Sequence, residues 1–148
     1  MPQLLEAIDD SIVVEYGQFL VQESGMLRPA GVLPVPRGPW VAVGGPGGLL
    51  LHSAATDHHP AVRLELWDEE PPADGGAWDS VLDLACELDS GVRLLSIMAA
   101  MTPMVLPLPR PGSYHARVHS GDREEAGRLD EATFARAVER WLIQFWPA

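Results

Sequence analysis

Apolar and polar residues alternate strictly along much of this chain, a period that marks strands rather than helices. In "AVRLELWDEEPP" Val62, Leu64 and Leu66 face one way, and Arg63, Glu65 and Trp67 the other. "WDSVLDLACELDSG" repeats the pattern, with Leu82, Leu84, Cys86 and Leu88 opposite Asp79, Asp83, Glu87 and Asp89. "GSYHARVHSG" sets Tyr114, Ala116 and Val118 against His115, Arg117 and His119. The closing "RWLIQFWPA" puts Trp141, Ile143 and Phe145 on a buried parity and leaves Arg140, Leu142 and Gln144 for the other face. "SIVVEYGQFLVQES" (11–24) and "VRLLSIM" read as further strands from their β-branched, aliphatic and aromatic content.

Breakers separate these runs. "GMLRPAGVLPVPRGP" holds four prolines in fifteen residues, which no central strand tolerates, so it is a loop or an edge crossing. "WVAVGGPGGLLLHSA" predicts two short strands around a glycine-rich turn. "DEEPPADGGA" supplies the residues of a connecting loop. In "RLDEATFARAVER" the spacing predicts a short helix over 130–138, capped by Asp130, that hands over to a strand near Glu139. One helix reaching Trp146 is the alternative, because Phe134, Val138, Trp141, Leu142 and Phe145 also fit a helical stripe. The pattern as a whole predicts an all-β fold: an antiparallel β-sandwich of about seven to eight strands, with one short helix near the C-terminus. A single domain over residues 1–148 is expected.

Composition narrows the class. An apolar fraction of 47% in 148 residues supports a core without staples. Cys86 is the one cysteine, which excludes an intrachain disulfide; its apolar parity reads as a small buried hydrophobe rather than a nucleophile. "MPQLLEAIDD" carries acids where an export signal carries bases, so a cytoplasmic protein is expected. The stretch "LLSIMAAMTPMVLPLP" is too short and too broken by proline to span a membrane. All ten basic residues are arginine, which excludes Walker-type phosphate loops and Schiff-base chemistry. A net charge of −11 argues against direct nucleic-acid binding. That charge is uneven: residues 57–89 hold ten carboxylates against Arg63, whereas residues 110–148 balance six arginines with six acids.

Candidate chemistry is sparse. Asp57, His58 and His59 form the one cluster of metal-ligand types, which would suit a metal-dependent hydrolase. Adjacent histidines on extended backbone point apart, however, and a polar loop is the plainer reading. His115 and His119 lie roughly 13 Å apart on a strand, too far for one ion. "GGPGG" lacks the spacing and the following helix of a dinucleotide fingerprint. No metal and no cofactor is expected. The tryptophans offer a further alternative, a small-ligand or carbohydrate-binding module. The acidic face is either a solvated surface or a docking surface for a protein partner with a basic surface. For the docking reading the residues are Glu65, Trp67, Asp68, Glu69, Glu70, Asp79, Asp83 and Glu87.

"SIVVEYGQFLVQES", with Tyr16 and Phe19, resembles the opening strand of the competence protein J family, small bacterial proteins described as inhibitors of a DNA-entry nuclease. "GSYHARVHSG" followed by "RWLIQFWP" is similar to a recurrent ending of small actinobacterial proteins. The likeness covers about a third of the chain, at its two ends, and brings no catalytic residue with it. It implies a small β-sandwich that acts by binding, with a nuclease as the kind of partner. In such an inhibitor, carboxylates on rigid strands would imitate the phosphates of the nuclease's substrate.

Overall fold

The alternating runs pair into two five-stranded sheets in the computed structural model, which describes residues 1–131 and 133–148. In chain order the strands are β1 (Leu4–Asp10), β2 (Gln18–Glu23), β3 (Ala42–Gly45), β4 (Gly48–His52) and β5 (His59–Trp67). Then come β6 (Ser80–Leu88), β7 (Gly91–Ser96), β8 (Leu106–Pro107), β9 (Gly112–Gly121) and β10 (Arg136–Pro147). One sheet has the order β1-β5-β10-β9-β6 and the other β3-β4-β2-β7-β8. All pairings are antiparallel except β5 with β10, which run parallel. The β-sandwich is therefore present, with ten strands rather than seven or eight. The extra ones are β1, an exposed edge with no clean alternation, and the two-residue β8. Among the described residues no helix is long and apolar enough to cross a membrane.

The core lies between the sheets, where the inward sets meet. Phe19, Val21, Leu49, Leu51, Val92 and Leu94 of one sheet pack on Val62, Leu64, Tyr114, Val118, Trp141 and Ile143 of the other. Phe19 and Trp141 meet edge to face, with ring centroids 5.3 Å apart, the arrangement aromatic quadrupoles prefer. The proline-rich segment covers the second sheet from outside: Ala30 and Leu33 join Leu20, Leu50 and Leu95 in a smaller apolar cluster. Gly44 and Gly45 end β3, and Pro46-Gly47 turns the chain into β4. Gly48 has φ +140°, and a Cβ there would collide with the Val21 carbonyl, so this position requires glycine.

Local backbone geometry overturns two expectations. Residues 11–24 are not one strand. Tyr16 and Gly17 have φ of 56° and 75°, and this turn separates a short bridge at Val14 and Glu15 from β2. The helix expected over 130–138 is absent at the described residues of that span; Ala132 lies outside them. Phe134 and Ala137 have φ of 51° and 57°, incompatible with a right-handed helix. The short α-helix is α1, Arg123–Gly127, and the last strand begins at Arg136 with a bulge before Arg140. The alternative of one helix through Trp146 is excluded, since Arg136–Pro147 is strand.

Parity along β10 is as read, yet both of its faces are buried. Trp141, Ile143 and Phe145 enter the core, while Leu142, Gln144 and Trp146 on the outer face are also sheltered. The reason is topological. β5 and β6 sit on opposite sides of β10, so residues 68–79 cross the outer face of the sheet as a strap. Arg117 Nη1 donates to the Pro71 carbonyl at 3.4 Å, and Trp78 lies beside His119 (5.2 Å) and under the Arg140 guanidinium (4.6 Å). His119, expected on an exposed polar face, is thereby buried, with Nδ1 2.9 Å from the Leu142 carbonyl.

Candidate functional site

The strap and the edge strand β6 gather seven of the 21 acidic residues, and arginine side chains hold three of them, Glu70, Asp83 and Glu87. Asp83 accepts two hydrogen bonds from Arg117, at 2.7 and 3.1 Å. Glu70 reaches the same guanidinium at 3.3 Å. The Arg117 bonds, foremost among the causes, hold the Asp83 carboxyl below its usual range. Asp68 accepts from the Gln3 amide at 2.7 Å, and Glu69 lies 3.6 Å from the N-terminal amine. Asp79 stands just before β6 and accepts from the Arg123 amide at 2.9 Å; Glu87 lies 3.6 Å from Arg28. These six carboxylates are exposed.

Glu65 and Trp67 are placed differently. Glu65 is buried and accepts hydrogen bonds from Arg63 (2.8 Å), Trp67 (2.9 Å) and Gln144 (3.0 Å). Burial pushes its carboxyl up, but those three donors outweigh it and the net shift is downward. Trp67 is half-buried, with its indole N–H turned to Glu65. The tryptophans do not form an exposed set: Trp141 and Trp146 are buried, and Trp40, Trp67 and Trp78 half-buried.

The Asp57, His58, His59 cluster does not converge. His58 is fully buried with Nε2 2.6 Å from Ser53 Oγ, while the His59 ring lies beside Phe134 at 6.4 Å. Among the described residues no group of three His, Cys, Asp or Glu side chains has metal-holding geometry. Instead, folding brings His58 to Ser53 and Glu139, a grouping invisible in a sequence where Ser53 and Glu139 are 86 residues apart.

That buried trio contains the parts of a hydrolytic triad in the wrong order. Ser53 Oγ donates its proton to Glu139 Oε1 at 2.8 Å, so His58 Nε2 must be the donor toward Oγ. In a nucleophilic serine the imidazole accepts the hydroxyl proton and the carboxylate sits behind the imidazole. Here the serine stands between the other two, and Glu139 also accepts from Trp141 Nε1 (2.6 Å) and the Ala54 amide (2.8 Å). The trio ties the β4–β5 loop to β10. Burial lowers the His58 pKa despite the attraction of Glu139, which keeps the ring neutral.

In front of this trio opens a cleft of about 550 Å³, walled by Tyr16, Trp40, His52, Ser53 and Arg123. No pattern in the sequence joins these residues. The one local signal is Tyr16-Gly17, an aromatic in a tight-turn position.

Fold and surface together define a class, a two-sheet β-sandwich with an acidic strap pinned across one face. Two solved structures share this fold over nearly the whole chain. ComJ of Bacillus subtilis, an inhibitor of the DNA-degrading activity of NucA, aligns with a TM-score of 0.60 and 12% identity, covering 100% of this chain and 99% of ComJ. The protein of crocagin biosynthetic gene J aligns with a TM-score of 0.63 and 14% identity, covering 96% and 97% of the two chains. No protein-family model and no curated protein sequence matches the chain. The fold is ComJ-like.

Proposed function

We propose that the chain is a non-enzymatic cytosolic protein that binds, and inhibits, a basic protein partner of the nuclease kind, docking through the carboxylates of the strap and β6. The observation that carries this reading is the pinned strap. Asp68, Glu69, Glu70 and Asp79 are exposed on a strap that Arg117 and Trp78 hold against the sheet, and Asp83 and Glu87 are exposed on β6 within that sheet. A negative field on rigid backbone speeds encounter with a cationic cleft and leaves little ordering to be done on binding. The ComJ-like fold supports the reading, since ComJ is an inhibitor of NucA. Glu65 takes no part in docking, because its hydrogen bonds are made internally.

The test is plasmid degradation by a NucA-type nuclease with and without an equimolar amount of this chain. Inhibition is expected, weakening as salt is raised. Glu69→Arg with Glu87→Arg should slow association while leaving the melting temperature nearly unchanged, since both pairs are exposed and weak. Equal inhibition by the wild type and this double variant at low salt would remove the acidic surface from the function.

A further inference from the structure

We propose that the cleft walled by Tyr16, Trp40, His52 and Arg123 binds an N-acylated aromatic carboxylate, either free or as the C-terminal residue of a peptide. The first observation is strain. Tyr16 has φ 56°, in a two-residue turn closed by backbone bonds between Glu15 and Gln18 at 3.1 and 3.4 Å. Asn, Asp and Gly are the residues suited to such a position; for a bulky side chain the left-handed region costs about 1–2 kcal/mol. Packing does not offset that cost, because Tyr16 is 75% exposed. A strained residue that holds an aromatic ring at the mouth of a cleft points to a role outside the fold.

The cleft is also preformed. Gly17 donates to the Thr56 carbonyl at 3.2 Å and accepts from the Ser53 amide at 2.7 Å, which fixes the turn to the β4–β5 loop. His52 stacks on Trp40, with centroids 4.9 Å apart and planes 17° from parallel, giving a flat wall suited to an aromatic ring. The polar groups specify the rest of the ligand. His52 Nδ1 lies 3.1 Å from the Trp40 carbonyl, which only accepts, so Nδ1 carries the proton. Nε2, on the ring edge toward Gly17, is left as an acceptor for an amide N–H.

Arg123 supplies the opposite chemistry. Its Nη1 donates to the His52 carbonyl at 3.1 Å and lies 3.6 Å from buried Glu139, and the guanidinium sits 5.6 Å from the Trp141 ring centre. Among the described residues no hydrogen bond engages Nε or Nη2. These donors form an edge that matches a carboxylate bidentately. No acidic side chain lines the cleft, although the chain carries 21 acids against 10 arginines. Since Glu139 already balances the charge of Arg123, recognition rests on the fork of donors, and lysine should not replace it.

The test titrates N-acetyl-phenylalanine, N-acetyl-phenylalaninamide and the peptide Gly-Gly-Gly-Phe into the whole protein, read by tryptophan emission and by calorimetry. The free acid should bind saturably and at least about tenfold more tightly than the amide, a difference of about 1.4 kcal/mol. Tyr16→Gly should weaken the acid by a similar factor while raising the melting temperature, because it removes the ring and the strain together. Arg123→Lys should lose the preference for acid over amide. Tighter binding of the peptide assigns the site to chain termini, and equal or weaker binding assigns it to the free acid; both uphold it. Acid and amide binding alike, no saturable binding by any probe, or full affinity in Tyr16→Gly would overturn it. None of these readouts depends on nuclease inhibition, so the two readings fail separately.

Discussion

Gln144 donates its side-chain amide to Glu65 at 3.0 Å across the parallel pair of β10 and β5, and both residues are buried. The outer face of β10 is thus a second interior, lined with polar groups. Ile143→Asp puts an unpaired carboxylate into the apolar core and should cost several kcal/mol, on the order of 3–5. Gln144→Asp sets a second carboxylate against Glu65 and should cost roughly as much, about 3 kcal/mol. Urea unfolding at neutral pH measures both. A loss below about 1 kcal/mol at position 144 would mean that the strap leaves this face wet.

Arg117 should act as the clasp of the strap, since it holds Asp83, Glu70 and the Pro71 carbonyl while lying over Trp146 at 5.2 Å. Arg117→Ala is expected to cost about 1–3 kcal/mol and to raise amide exchange selectively in residues 68–79. Uniform exchange across both sheets would show a general loss of stability, with no local release.

Acidification should weaken the fold in two stages. The His58 pKa is lowered by burial, against Glu139 and Asp57, which raise it, and with His59, which lowers it further. Its unfolded counterpart titrates at about 6.5, so below that pH the unfolded chain binds the extra proton first and stability declines. Glu65, Asp74 and Asp83 also have lowered values. Their contribution is complete above the unfolded carboxylate range of about 4 and is lost as pH falls through their folded values. Denaturation midpoints at pH 7.5, 5.5 and 3 should fall in that order. His58→Gln should flatten the step between the first two, and an unchanged step would mean that another group carries it.

Burial pushes the Cys86 thiol up to about 12, with Glu87 adding to the effect. Native protein at pH 8 should therefore be inert to a disulfide reagent and react with one equivalent on unfolding. Rapid reaction in the folded state would show that β6 opens.

Strands whose two faces differ were readable from alternation, which is why β5, β6 and β9 and the inward set of β10 stand where the pattern places them. The strap was not readable, because its Pro-Asp-Gly composition signals a loop without saying what the loop covers. The same gap hid the burial of Glu65, Gln144 and His119. The helix was misplaced by a few residues because the Ala-rich run after Asp130 satisfies local propensity, whereas Phe134 and Ala137 take left-handed backbone on the way into β10. The acids of the docking set were legible as types and positions, but their arginine partners are long-range. The Tyr16 cleft and the Ser53, His58 and Glu139 trio draw on five separate segments, and no local rule of sequence brings those together.

β10 is made after both of the strands it separates. Until Arg136–Pro147 emerges, β5 and β9 have no common neighbour, and each presents an open row of amides and carbonyls. The contact of Glu65 with Gln144 closes a loop of 79 residues, so assembly waits on one of the longest-range encounters in the chain. Without β10 the sheet is two separate pairs, β1-β5 and β9-β6, with an empty slot between them. Slow folding, and a need for shelter from strand-to-strand aggregation during synthesis, follow from where this single strand is inserted.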